Sequence, residues 1–283
     1  MPLKAKFNKD FFIKDESIHL SIDFLNENKK KFKKITGSRL ASILNLNQYN
    51  SPLKTWMMMT NIYFEEMDET LSITGNIVEP ILRDYVVKNM GIKYKDYNPY
   101  SVKWDVFKEN KIFGGIPDGE PVDENGNFLY EQNIPMIEIK TTSIDSLVYK
   151  KVDGVLRMQK DTNNVPLVKI EKGKLQDWYV DGKLSIPKEY ELQLSLYLYL
   201  RNAPKGLFVI GFLEKEDYAT PNNFDPTNRK IEYALIELNR KEFEKVIEKC
   251  TDWYKRHIEC GISPKITNED KKWLSEVLQV NNL

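Results

Sequence analysis

Ile116-Pro117-Asp118-Gly119 and Met136-Ile137-Glu138-Ile139-Lys140-Thr141 decide the fold, with Glu138 standing 20 positions after Asp118. In a strand, side chains two apart share a face. The second stretch therefore points Glu138 and Lys140 one way and sends Ile137 and Ile139 into a core. Asp118 falls at the end of a neighbouring strand where Pro117 and Gly119 set a sharp turn, and the Asn125-Gly126 turn brings it back against Glu138.

Two carboxylates that close repel, and a divalent cation removes the repulsion. Oxygen-only donors favour Mg²⁺ or Mn²⁺ over zinc, with one or two carboxylates, retained waters and phosphate oxygens completing the shell. In such a setting a water is acidified and aimed at phosphorus. Lys140 orients or helps deprotonate it and offsets the developing negative charge. That chemistry suits phosphodiester hydrolysis.

On the N-terminal side, residues 1–34 read as a peripheral arm that ends in a basic run, Lys29, Lys30, Lys31, Lys33 and Lys34. The run is either a solvated surface or a phosphate-contacting stripe. A helix opens at Gly37 with Ser38 as its cap, Gln48 to Pro52 is a turn, and a second helix starts near Pro52 with Leu53, Trp56, Met57 and Met59 as core. A third runs from Thr74-Gly75 to a stop at Gly91. Residues 100–141 read as a meander of short strands: 101–106, 111–116, 127–131 and 136–141.

On the C-terminal side, 141–187 reads as a basic insertion carrying Lys150, Lys151, Arg157, Lys160, Lys169, Lys172 and Lys174, diluted by Asp153, Asp161, Glu171 and Asp177. A hairpin of 155–159 with 166–170 is expected there. The insertion suits a DNA-contacting hairpin, a subunit contact or a lid. A helix follows from Pro187 to about Ala203, then strands 206–213 and 230–238. Asn239 caps a helix that ends near Gly261, and a last short helix starts at Asn268.

The 283 residues suffice for one α/β domain, and no linker or repeat divides them, so 1–283 is expected to be a single unit. Charges balance at 42 basic and 42 acidic, so a polyanion has to be held by a local patch. Cys250 and Cys260 are too few for a structural metal site and read as reduced, buried thiols. No apolar run reaches a membrane span and the first residues are too charged for a signal peptide, so a cytoplasmic protein with no membrane partner is expected. His19 and His257 are isolated, and no P-loop or Rossmann glycine pattern occurs.

The string PD, nineteen residues, ExK resembles the signature of the PD-(D/E)XK nuclease superfamily, and the chain is similar to its YqaJ-type, lambda-exonuclease-like branch. Ile35-Thr36-Gly37-Ser38, Gly75-Asn76 with Glu79-Pro80, and Pro187 to Tyr197 resemble three further motifs of that branch, in order. Gln193 and Tyr197, four apart on one helical face, both reach one edge of a site.

The resemblance implies an α/β, restriction-endonuclease-like core with a central mixed β-sheet flanked by helices. It implies metal held by Asp118, Glu138 and Glu79, water activation by Lys140, and Gln193 orienting the water or the lysine. It further implies a phosphate pocket of Ser38 with Lys33, Lys34 or Arg39 beside a DNA end, with Tyr197 at its edge. Arg39 stands where the family has an acid. The implied activity is a Mg²⁺-dependent deoxyribonuclease, with Mn²⁺ as substitute, that digests one strand from duplex ends. A ring-shaped homo-oligomer and a single-strand annealing partner in phage-type recombination go with it. An endonuclease of restriction or repair type with the same centre, and a DNA-binding relative without turnover, are the alternatives.

Overall fold

The computed structural model describes residues 3–47, 50–66, 68–152 and 155–280; Gln48 of the expected turn and Asp153 of the insertion lie outside them. The sheet that organises the molecule has three strands, in the order Lys230–Glu237, Lys205–Leu213, Met136–Ser143. The first pair is antiparallel and the second parallel, so the sheet is mixed. Gly206 to Leu213 is an almost unbroken apolar run, the composition of a strand covered on both faces, and it takes the centre. The outer strand alternates between exposed and half-buried residues, as a strand with one wet face does.

A parallel pair needs a crossover. Here the helix Lys188–Arg201 supplies it and packs, with the helix Gly37–Ile43, on the face that carries Met136, Phe208, Ile210 and Phe212. The long helix Glu69–Met90 covers the opposite face, where Val78, Leu82 and Val86 meet Ile137, Ile139, Val209 and Leu213. The expected mixed sheet flanked by helices is thus present, and no helix among the described residues is long and apolar enough to cross a membrane.

Four local expectations change. The N-terminal segment is not peripheral: Phe11–Lys14 and Ser17–Leu20 form a hairpin that puts Phe11 and Ile18 in the main core. Backbone and side-chain bonds between Ile18 and Ser263 hold it to the far end of the chain. Of the meander's four expected strands only 136–141 forms, within Met136–Ser143, and Glu120–Pro121 pairs with Tyr94–Lys95; elsewhere side chains take the place of ladder partners. Asn98 Oδ1 accepts from the backbone of Tyr100 and Ser101 to form a short helix, Pro99–Val102, and Asn110 Oδ1 accepts from Ile112 and Phe113. In the insertion, Val155–Met158 pairs with Tyr149–Val152, and Val168–Ile170 with Ser146–Leu147; the expected hairpin is reduced to its turn end, where Lys160 bridges to Pro166 and Leu167 N donates to Gln159 O at 2.9 Å. Finally, Cys250 is buried, with its thiol pushed up to about 12 by burial, but Cys260 is exposed.

The long helix starts five residues before the predicted Thr74, because Asp68 caps it by accepting from Thr70 N at 2.8 Å. The other Asp68 oxygen accepts from Met158 N at 2.6 Å, tying the insertion to the helix start. Burial raises this carboxyl, but the Thr70 and Met158 hydrogen bonds outweigh burial and hold it below the usual carboxylate range. Asp68→Ala is expected to cost about 1–2 kcal/mol at neutral pH, read from denaturant unfolding. A carboxyl lowered on folding contributes above its unfolded pKa and loses that contribution as pH falls through its folded value. The difference between the two proteins should therefore shrink on acidification below about pH 4; a constant difference down to pH 2 would contradict this assignment.

Candidate active site

Met136–Ser143 is an edge strand, and its outward N–H groups need partners. Ile137 N donates to Gly119 O at 3.0 Å. The next outward N–H, of Ile139, donates to Asp118 Oδ2 at 2.7 Å. The Asp118 carboxylate therefore occupies a ladder position, which fixes it beside the strand that carries Glu138 and Lys140.

Glu138 faces the Gln193 helix and is 0% exposed. Its Oε1 accepts from Lys140 Nζ at 2.7 Å and from Gln193 Nε2 at 2.5 Å, while its buried Oε2 has no hydrogen-bond partner. Gly37 lets the neighbouring helix close onto Gln193: a Cβ there would lie 2.5 Å from Gln193 Cγ and 2.8 Å from its Cα. Glu79 arrives from the long helix and accepts from Thr141 Oγ1 at 3.3 Å. The acids expected to act together, Asp118, Glu138 and Glu79, are brought to one strand edge with Lys140 and Gln193.

Their electrostatics have one dominant cause. Burial pushes the Glu138 carboxyl up, Asp118 pushes it further, and Lys140 works against both. Asp118 is also raised, by burial first, against the pull of Lys140, the Ile139 N–H and Arg83. Glu79 is pushed up to about 7 by burial and then by Asp118. Burial alone would lower Lys140, but Glu138 and Asp118 outweigh it and hold the ammonium above its ordinary range. One buried and two half-buried acids share one lysine, so the cluster favours additional positive charge.

The donor set fits a hard divalent cation: oxygens only, Asp118 raising the Glu138 carboxyl, and Glu138 Oε2 buried without a partner. Among the described residues no three His, Cys, Asp or Glu side chains form a ready metal cage. Mg²⁺ does not require one, since it takes one or two carboxylates and keeps water or phosphate oxygens.

The expected phosphate-binding residues divide. Ser38 is exposed at the start of its helix, but the cap position belongs to Thr36, and Ser38 Oγ lies 3.1 Å from Thr36 Oγ1. Arg39 Nη1 donates to Lys34 O at 2.7 Å. The Lys33 ammonium is lowered by burial, then by the charges of Arg39 and Lys4. Lys34 is instead directed at Asp105, with Nζ 2.6 Å from Oδ2 and 3.1 Å from Phe107 O. Tyr197 is 4% exposed and offers no outward edge. Its ring lies 2.7 Å from where a Cβ on Gly115 (φ +138°) would be. Tyr197 thus supports the turn leading into Asp118 from inside.

Sequence reasoning passed over four neighbours of the cluster. The Tyr190 ring lies 5.2 Å from Lys140 Nζ and stacks on Trp178. Thr141 bonds Glu79, Arg83 favours the charged form of Asp118, and Lys4 joins Lys33. Tyr190 is three residues before Gln193 and Arg83 four after Glu79, so helical spacing carried a signal for both. Lys4 has no local signal.

A family model described as YqaJ-like viral recombinase domain matches residues 27–203. The chain is 47% identical over 272 residues to the uncharacterized protein MG373 of Mycoplasma genitalium, covering 96% of this chain and 97% of that protein. It is 46% identical over 277 residues to the MG373 homolog of Mycoplasma pneumoniae, covering 98% and 99%. Among solved structures it is similar to an alkaline exonuclease (LHK-Exo) from Laribacter hongkongensis, with a TM-score of 0.48, 13% identity, and 83% of this chain and 92% of that one covered. A phage related exonuclease from Haemophilus somnus 129PT gives a TM-score of 0.47 at 12% identity, covering 89% and 99%.

Proposed function

The chain belongs to the YqaJ-like viral recombinase domain family, and from that membership and the acid–lysine cluster we propose that it is a divalent-metal-dependent deoxyribonuclease acting from duplex ends. The observation that carries the reading is the convergence of Asp118, Glu138, Lys140, Gln193 and Glu79 on one sheet edge, with Glu138 Oε2 buried and unpartnered.

Asp118 and Glu138, with Glu79 beside them, would hold Mg²⁺ or Mn²⁺. When bound, the ion supplies the positive charge that acidifies an attacking water and offsets charge at the scissile phosphate. Gln193 and Lys140 both donate to Glu138 Oε1, so that carboxylate is oriented before substrate arrives and its other oxygen is left to accept. The Lys140 ammonium, confined between Glu138 and the Tyr190 ring, donates toward the phosphate side and stabilises negative charge as it builds. Ser38 and Arg39 follow Gly37, which packs on Gln193, and with Lys33 they are the groups available to a terminal phosphate. Lys34, tied to Asp105, acts on that region's shape and not on the phosphate. Hydrolysis on this plan leaves a 5′-phosphate.

The test is digestion, with Mg²⁺ or Mn²⁺, of one linear duplex labelled separately at each end, alongside the same DNA as covalently closed circles. Release of label from ends with circles left intact is the expected result. Rapid cutting of circles would replace end-directed action with endonuclease action. Binding of DNA without any digestion in either metal would overturn the enzymatic reading.

A further inference from the structure

We propose that the two-stranded ribbon Tyr149–Val152 and Val155–Met158 is a clamp for the phosphate backbone of duplex DNA, with Lys150 and Arg157 as its contacts; this rests on the nuclease reading above. The register places Lys150 directly opposite Arg157. Directly opposed residues of an antiparallel pair have Cβ atoms about 5 Å apart on one face, and like charges there repel. Both side chains are exposed, and among the described residues neither makes an ion pair. Lys151, on the ribbon's other face, has among the described residues only exposed Glu276 as an ion-pair partner, at 3.7 Å, and Lys160 follows just past the ribbon. The fold thus holds a cation pair in mutual repulsion, which a polyanion would relieve.

The ribbon is also fixed in relation to the acidic cluster. Met158 is buried at its base, in the same apolar cluster as Val78 and Ile139, and Val155 is buried at its turn end. Met158 N is held by Asp68, the cap of the helix that carries Glu79. Asp68 and Glu79 are 11 positions apart, so along the helix the ribbon's anchor lies about 16 Å from the metal-side acids. That is the length of about five base pairs. A duplex whose end lies at the acids would pass over the cationic pair roughly half a helical turn upstream. The chemistry recognised is phosphate, without base readout.

The experiment compares the full-length wild type with Lys150→Gln/Arg157→Gln for binding of a blunt duplex in EDTA as salt is varied. Loss of two phosphate contacts should lower the slope of log K against log salt by about 2 and weaken binding about 30-fold at 0.15 M salt. Melting temperature in the absence of DNA should stay equal or rise, since a repulsion has been removed. Hydrolysis of bis-p-nitrophenyl phosphate, too small to reach the ribbon, should be unchanged. The charge-conserving variant Lys150→Arg/Arg157→Lys should keep the wild-type slope; its loss there as well would assign the effect to folding and overturn the clamp. A wild-type slope in the Gln variant, from a protein that digests duplex, overturns the clamp alone. A wild type that neither binds nor digests DNA overturns the nuclease reading and the clamp with it.

Discussion

Lys140→Ala should lower DNA hydrolysis by about two to four orders of magnitude while leaving metal binding intact. The ammonium is 2.7 Å from Glu138 Oε1 and is the lysine shared by all three acids. On the proposed mechanism, removing it deletes a donor to the reacting phosphate. It also deletes the positive charge that competes with a divalent ion for Glu138, so the rise in melting temperature on adding Mn²⁺ should be as large as in wild type or larger. Asp118→Asn should differ in kind. It removes a formal charge from the proposed metal-binding acids, so both hydrolysis and the Mn²⁺-induced rise should be lost. Near wild-type hydrolysis by Lys140→Ala, from a preparation whose wild type digests DNA, would remove the lysine from the chemistry.

Arg201→Ala should be the most destabilising single substitution of a charged residue, at about 3–5 kcal/mol. Glu120 is 0% exposed, two residues past Asp118 on the same short segment. Arg201 Nε and Nη2 donate to its two oxygens at 2.7 and 2.9 Å, Tyr97 donates at 2.5 Å, and Tyr130 donates to the remaining site. Phe107 and Phe128 flank the guanidinium at 4.6 and 5.1 Å. Without the arginine, a buried carboxylate is left facing two phenols. The penalty is a large share of the roughly 5–15 kcal/mol that holds a domain together. Glu120→Gln/Arg201→Met, which removes both charges, should cost clearly less than Arg201→Ala in urea unfolding at matched m-values. Equal costs would show that the buried charge is not what the arginine serves. Because Arg201 ends the helix that carries Gln193, the pair also ties the Asp118 segment to that helix.

Both cases show why some residues were legible and others were not. Glu138 and Lys140 lie two apart in a strand, and Gln193 and Tyr197 four apart in a helix, so local geometry alone placed each pair on a face. The Glu120–Arg201 pair spans 81 positions and had no such cue. Tyr197 is the contrary case. Its spacing from Gln193 puts both on one helical face, but the Phe107 ring and the Gly115 turn bury it, and spacing carries no information about what packs on a face.

The N-terminal hairpin and residues 100–116 failed for related reasons. Acids and lysines along residues 1–28 concealed Phe11 and Ile18, whose burial depends on Ser263 at the other end of the chain. Alternating apolar residues around Val102 to Val106 imitated a strand, yet Asn98 and Asp105 offered the backbone side-chain acceptors at shorter range than any partner strand.

What the sequence determined by itself is whatever repeats with the period of one element: the buried central strand, the crossover helix, the face that carries an acid beside a lysine, and the motif order that identifies the family. What only the tertiary structure decided is how separate elements meet. Asp118 takes an edge N–H of the Glu138 strand, Glu79 reaches Thr141, Lys34 turns to Asp105, and a cationic ribbon is tethered to the helix of Glu79. Periodicity is set by backbone geometry and is written locally, whereas these meetings depend on how packed layers close over one another across many tens of residues.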